Sequence, residues 1–388
     1  MDSLTLGDHV ARQLLRLGAV VGLKDADAAL YAELLVTSLG NASQRLLSQP
    51  PPSPSFISDD HTPVEFSLSL RPHAAPVLRV LAEPGCAAED MAANGHQGLL
   101  AIRDMARRWD ISTGQLDRLE DLFFPSSAHG PLALWYALEL RPGGVPGMKI
   151  YLNPAASGTQ QATATVQKAL HRLGHRQALA ALPDTAAYPF LALDLGTWEA
   201  PRVKVYTTHP GLSAAEACAL NRVQPGPAPA DIAAFFRIAA GAGLPTGLGN
   251  EPETRLDRRP ALACHSFTEQ STDRPSGFTL HIPVRDYVRD DDESLIRADA
   301  LLTHFGVDPS VLGDTLSALT TRPLSDGVGL ISYLALAHER DRQPRITAYL
   351  SSEAYAVRPG TVIPRPGQAR SREPVTGQPQ PPTRHLSQ

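Results

Sequence analysis

The sequence predicts an α+β protein: a closed ten-stranded antiparallel β-barrel of five ααββ repeats, with the helices outside. Three observations carry this. Strand-like segments come in pairs joined by turns rich in Gly, Pro, Asp or Asn. Helical segments precede each pair. The second strand of every pair repeats one alternation, with a cation or Thr on its polar face and, in most cases, an aromatic two residues later. From Arg79 to Lys149, Lys204, Thr279 and Thr347 the repeat runs in steps of about 55 to 75 residues.

The elements follow in order. Residues 1–46 place Val10, Leu14, Leu15 and Leu17, then Ala29, Leu30, Leu34 and Leu35, at helical spacing, and the Gln49–Pro54 run ends that region as a loop. Val64–Leu70 and Val77–Glu83 make the first strand pair. Residues 87–122 return to a helical period through Met105, Ala106 and Trp109, then Leu116, Leu119 and Leu122. Leu132–Leu140 and Met148–Asn153 form the second pair, turning through Pro142-Gly143-Gly144. One helix is expected over Gln160–Leu182, before the pair Phe190–Leu195 and Val203–Thr208. Helices over Ala214–Asn221 and Ala228–Ala240 precede the pair Ala261–Thr268 and Gly277–Val284. Helices over Leu295–Phe305 and Pro309–Leu319 precede Gly327–Ala337 and Pro344–Ser351. From Arg358 onward Pro recurs among Gly, Ser, Gln and Arg, so residues 1–357 are expected to form the barrel domain and 358–388 a disordered tail.

Composition narrows the function classes. The 388 residues carry 35 Lys+Arg against 40 Asp+Glu, so a cationic cluster must be local, and no nucleic-acid partner is expected. Cys86, Cys218 and Cys264 have neither CxxC nor Cys/His ligand spacing and suit a reducing, cytoplasmic setting. No basic-then-apolar start and no run near the roughly 18 apolar residues of a span are present, so no membrane association is expected.

Because successive strand side chains point to opposite faces, each repeat segregates its chemistry. Ile150 and Leu152, Val203 and Val205, Leu280 and Ile282, and Ile346 and Leu350 form apolar faces that helices can cover. The polar faces then line a lumen, and ten strands leave a cavity where about eight would fill it with side chains. Into that lumen go Arg79, Lys149, Arg202, Lys204, Thr279 and Arg345, with Tyr151, Tyr206, His281 and Tyr349 one step above. This is a place for an anion beside a carbocation. A single Lys-x-Tyr on an amphipathic strand is ordinarily a surface pair; five related strands closing the same unit are not. On the first strand Glu65, Ser67 and Ser69 alternate with Val64, Phe66 and Leu68, so the Glu65 carboxylate enters the lumen as well.

The order of the hairpins, with Arg79, Lys149-x-Tyr151, Arg202-x-Lys204-x-Tyr206, Thr279-x-His281 and Tyr349, resembles the dimethylallyltryptophan synthase family of aromatic prenyltransferases, bacterial members in particular, over roughly residues 5 to 357. The resemblance implies the prenyltransferase barrel and metal-independent transfer of a dimethylallyl group from dimethylallyl diphosphate, as co-substrate, to the indole of tryptophan or a simple derivative, at C6 or C5. It assigns Arg79, Lys149, Arg202, Lys204, Thr279, His281 and Arg345 to the diphosphate, Tyr151, Tyr206 and Tyr349 to shielding the allyl cation, and Glu65 to the indole N–H. His281 can serve as aromatic wall or as diphosphate partner. A phenol, tyrosine or tryptophan-containing cyclic dipeptide as acceptor, or a noncatalytic barrel binding an anionic aromatic metabolite, are the alternatives; the assembly is expected to be a monomer or homodimer. Three departures from the family stand out: Thr279-x-His281 replaces Gln-x-Tyr, Arg345 stands where an extra tyrosine is common, and Leu132–Leu140 lacks a lysine.

The Asp290-Asp291-Asp292-Glu293 run could suggest a magnesium site, but consecutive carboxylates before Ser294-Leu295 read as a helix start favoured by the dipole. No metal is therefore expected. The Gly241–Gly247 stretch lacks a phosphate-loop lysine and reads as a turn. Trp135 and Trp198 read as outer packing residues, with Trp135 alternatively lining the acceptor pocket.

Overall fold

The computed structural model describes residues 4–196, 201–242, 254–269, 271–339 and 342–360. Helices α1 (Leu6–Val20) and α2 (Asp25–Ser38) precede strands β1 (Val64–Leu70) and β2 (Val77–Ala82). Helix α3 (Met91–Arg108) and the short α4 (Gly114–Asp117) and α5 (Glu120–Phe123) lead to β3 (Leu134–Glu139) and β4 (Gly147–Leu152). Helix α6 (Ala162–Arg172) precedes β5 (Leu191–Leu195) and β6 (Val203–His209), and α7 (Ala214–Ala219) with α8 (Pro229–Ala240) precedes β7 (Ala261–Phe267) and β8 (Gly277–Ile282). Helices α9 (Asp291–His304) and α10 (Ser310–Leu319) lead to β9 (Ile331–Glu339) and β10 (Arg345–Ser351).

Every strand pairs antiparallel with its neighbours in chain order, and β1 pairs with β10 from Glu65↔Ser351 to Leu70↔Ile346, which closes the barrel. Closure leaves no sheet edge to attract another chain. The outward sides, including Phe66, Leu68, Val80, Leu138, Ile150, Leu193, Val205, Phe278, Leu280, Leu336 and Ile346, are buried against the helices in one continuous core. Helix α1 illustrates the local logic. Thr5 Oγ1 accepts from the Asp8 N–H while Asp8 accepts from the Thr5 N–H, a reciprocal N-terminal cap, and Leu6, Val10, Leu14 and Leu17 make the buried stripe.

Two expectations need correction. The single helix over Gln160–Leu182 stops at Arg172, because Gly174 turns the chain with φ +90° and only a short 3₁₀ segment, Leu179–Ala181, follows. The fifth helical pair begins at Asp291 rather than Leu295, since Asp290 caps it by accepting from the Glu293 N–H at 2.9 Å. Asp291 is fully buried, accepts from the Gly329 and Leu330 N–H groups at 2.9 and 3.0 Å and pairs with Arg322. The acidic run therefore anchors a helix start to the approach of β9, as its position suggested. Asp291→Ala should strand two backbone donors and leave Arg322 with Glu353 as its ion-pair partner. A stability loss of about 3 kcal/mol in urea unfolding is the expected outcome.

The C-terminal segment is tied to the chain that leads into β1. Asp60 accepts from the backbone N–H groups of Tyr355 and Ala356, and Arg358 pairs with Asp59 and Asp286. The described chain thus remains tied to the barrel at Arg358, while residues 361–388 of the expected tail lie outside the described residues. Trp198 and most of the Gly241–Gly247 turn do too; Gly241 itself ends α8 with φ +83°.

Candidate active site

The five second strands β2, β4, β6, β8 and β10 carry the cations and most of the rings, and many of the positions beside them hold small residues. Register sets Lys149 beside Ala137, Tyr151 beside Ala192, Lys204 beside Ala192 and Ser266, and Tyr206 beside Cys264. It also sets Thr279 beside Cys264 and Ala337, and His281 and Thr347 beside Ala335. Small residues on one strand make room for long ones on the next, which is how ten strands keep a lumen open.

Ten of the eleven residues singled out in the sequence line one narrow waist: Arg79, Lys149, Tyr151, Arg202, Lys204, Tyr206, Thr279, His281, Arg345 and Tyr349. Three carboxylates not singled out hold the cations. Glu139 pairs with Arg79 at 2.7 Å, and Asp194 with Arg202 at 2.6 Å and Lys149 at 3.4 Å. Glu339 pairs with Arg202 at 2.6 Å and reaches Arg345 at 3.8 Å. Burial alone raises the carboxylate pKa of Asp194, but Lys149 and Arg202 hold it down to about 2. Asp194 carried a usable sequence signal, a lone charge among Leu191, Leu193 and Leu195. Glu139 and Glu339, at strand ends, did not.

The cluster is electrostatically loaded. Five cations face three carboxylates, and burial, with Arg79 close by, pushes Arg345 down to about 10. Lys204 is 6% exposed and, among the described residues, has no carboxylate oxygen within 4.0 Å. Burial first, and the neighbouring Arg202 and Lys149 second, drive its pKa well below the usual lysine value. Such a group favours any anion that enters.

One step along the axis the rings close into a tier. Tyr151–Tyr206, Tyr206–His281 and His281–Tyr349 centroids are 5.9, 5.8 and 5.7 Å apart. Burial pushes His281 down to about 3, so the imidazole is neutral, and its Nε2 lies 3.2 Å from the Tyr349 hydroxyl. Its ring packs between those of Tyr206 and Tyr349, and Thr279 lies a step closer to the cations. Phe190 and Tyr333 extend the tier, and Trp135 packs on Phe190 at 5.2 Å. Trp135 therefore lines the lumen end instead of the outer surface, since its strand position alternates with the outward Leu134 and Tyr136.

Glu65 sits beyond this tier, 6% exposed, with one oxygen accepting from Ser332 Oγ at 2.7 Å. Among the described residues no group bonds its second oxygen. Burial pushes its pKa up to about 7, partly opposed by Ser332 and by Arg285. Near it, a cavity of about 490 Å³ lined by Trp135, Phe190, Leu262 and Tyr333 opens this end of the barrel. The lumen thus runs from a cationic mouth through aromatic rings to a buried carboxylate.

The chain is similar to known proteins over most of its length. The profile of the tryptophan dimethylallyltransferase family matches residues 23–223. The prenyltransferase PriB, crystallised as a ternary complex with L-tryptophan and dimethylallyl thiolodiphosphate, is 58% identical over 92% of this chain and 99% of its own, with a TM-score of 0.88. The 5-dimethylallyltryptophan synthase from Streptomyces coelicolor is 58% identical over 92% of this chain and 100% of its own, TM-score 0.87. The 6-dimethylallyltryptophan synthase from Micromonospora olivasterospora, in complex with DMASPP and Trp, is 36% identical over 92% and 99%, TM-score 0.81. With this coverage and the shared ten-stranded barrel, the chain belongs to the tryptophan dimethylallyltransferase family of aromatic prenyltransferases.

Proposed function

We propose that the protein transfers the dimethylallyl group of dimethylallyl diphosphate to C5 or C6 of the indole of L-tryptophan. The observation that carries the reading is the axial order of the lumen: cations, then rings, then Glu65. Relatives named as 5- and 6-dimethylallyltryptophan synthases support the acceptor and the benzenoid ring.

Breaking the allylic C–O bond leaves a diphosphate of about three negative charges beside a delocalised cation. Preorganised positive groups in a water-poor site stabilise that charge, commonly the largest catalytic contribution. Arg79, Arg202 and Arg345 offer guanidinium forks, Lys149 and Lys204 point charges, and Thr279 a hydroxyl. The faces of Tyr151, Tyr206 and Tyr349, with His281, shield the cation and attract it by roughly 0.5 to 2 kcal/mol per ring. Burial keeps the phenols protonated; Tyr349 is raised to about 12. Glu65 takes the indole N–H, orients the ring and stabilises charge spreading onto nitrogen. Attack by the ring carbon gives an arenium ion, and loss of its proton restores aromaticity.

The cations do what a metal does elsewhere, so turnover is expected to persist in excess EDTA. Loss of activity under chelation, restored by magnesium, would return attention to Asp290–Glu293. Mass spectrometry of the product with L-tryptophan, followed by NMR of the ring protons, tests the acceptor and the carbon. A chain that binds the donor but releases no diphosphate with any indole is a binder, and the reading fails.

A further inference from the structure

The mouth of the lumen holds a second set of arginines. Arg71, Arg141 and Arg342 lie in or beside the turns of the first, second and fifth hairpins, around a cavity of about 550 Å³ that also reaches Arg79, Arg202 and Arg345. The two sets share two carboxylates, and they share them oxygen by oxygen. Glu139 gives Oε2 to the inner Arg79 at 2.7 Å and Oε1 to the outer Arg141 at 3.1 Å. Glu339 gives Oε1 to the inner Arg202 at 2.6 Å and Arg345 at 3.8 Å, and Oε2 to the outer Arg71 at 3.7 Å and Arg342 at 3.8 Å. Asp194 differs: it is wholly buried and its ion pairs are with the inner Lys149 and Arg202.

We propose that Glu139 and Glu339 are exchange ligands, which occupy the inner arginines in the empty barrel and pass to the outer arginines when a diphosphate takes their place. The inference rests on the diphosphate reading of the inner cluster. A nest of buried guanidinium groups without counter-charges is costly to keep, and one that met the diphosphate bare would hold the product as firmly as the substrate. Two carboxylates already bridging both tiers remove both problems. Each leaves the inner arginines by moving toward partners it already touches, so it is never stranded, and each returns as the diphosphate departs. Burial opposes ionisation of both groups. The arginines win, holding Glu139 down to about 2 and Glu339 lower still, so both are anionic in the empty barrel. Asp194, paired within the inner tier, is the fixed scaffold.

The test uses inorganic diphosphate and calorimetry on the full chain. Glu339→Gln should bind diphosphate about tenfold more tightly and show product inhibition at correspondingly lower concentration, because the competing anion is gone. Arg71→Gln combined with Arg342→Gln should weaken binding about tenfold, since Glu339 loses its second resting place. In the Glu339→Gln background the same arginine pair should have almost no effect. That loss of effect separates exchange from simple charge repulsion, for which the changes would add. Weaker binding by Glu339→Gln, or additive effects, overturns the proposal. The Glu139→Gln and Arg141→Gln cycle repeats the test independently should a Glu339 variant fail to fold. If inorganic diphosphate does not bind the wild-type chain at all, it is the diphosphate reading of the cluster that fails.

Discussion

Lys204→Ala is expected to lower turnover with dimethylallyl diphosphate by two orders of magnitude or more and to weaken donor binding, with the barrel intact. Lys204 is buried, has no carboxylate oxygen within 4.0 Å among the described residues and lies among like charges. A unit charge about 4 Å from an anion is worth on the order of 4 kcal/mol at an effective dielectric near 20, and roughly 2.7 kcal/mol corresponds to a hundredfold in rate. The same desolvation makes the charged lysine a burden to the empty protein. With its folded pKa depressed, Lys204 binds fewer protons folded than unfolded, so stability rises with pH through the interval between the lowered and ordinary lysine values. Lys204→Met should therefore raise the melting temperature of the donor-free protein while reducing the stabilisation that inorganic diphosphate confers. Unchanged turnover and donor affinity in Lys204→Ala would remove Lys204 from the diphosphate site.

Glu65→Gln should separate the acceptor from the ionisation machinery. The amide keeps the shape but loses the anionic acceptor for the indole N–H, so prenyl transfer should fall by orders of magnitude through lost orientation and charge stabilisation. Donor affinity should stay within a few-fold, because the cations lie on other strands. With Glu65 at about 7, the ionised form needed for the acceptor is lost as pH falls through 7; kcat/KM for tryptophan should drop on that limb, and the variant should lack it. Stability moves the opposite way. A carboxyl whose folded pKa is raised contributes fully below its unfolded value and loses that contribution as pH rises through about 7, a cost of about 3 kcal/mol at alkaline pH. The variant should therefore be more stable than wild type at pH 8 and no more stable at pH 4 in urea unfolding. Near-normal transfer, or donor affinity falling as steeply as for Lys204→Ala, would give Glu65 another role.

Alternation is a local property, and it was enough to assign the strands and to sort side chains between lumen and core. Lys149 with Tyr151, and Lys204 with Tyr206, are two residues apart on one strand, so their shared face follows from backbone geometry alone. The number of hairpins and the helices between them follow from periodicity in the same way, although apolar spacing continues past Gly174, beyond the point at Arg172 where the helix ends. The acidic run at Asp290 was legible as a helix start for the same reason: a cap acts over three residues.

What acts across the barrel was not legible. Arg202 meets Glu339 from 137 positions away, and Glu65 meets Ser332 from 267. Nothing in an alternating strand states which strand will face it, so the pairing of Glu139, Asp194 and Glu339 with their cations and the ring contacts of His281 and Trp135 took shape only in the assembled barrel. The sequence by itself determined the repeated hairpins, the polar face of each and the cations, aromatics and carboxylate they carry. Tertiary structure alone decided the charge pairing, the ring spacing and the desolvation of Lys204 and Glu65, because these depend on distances that strands acquire only after they have closed into a barrel.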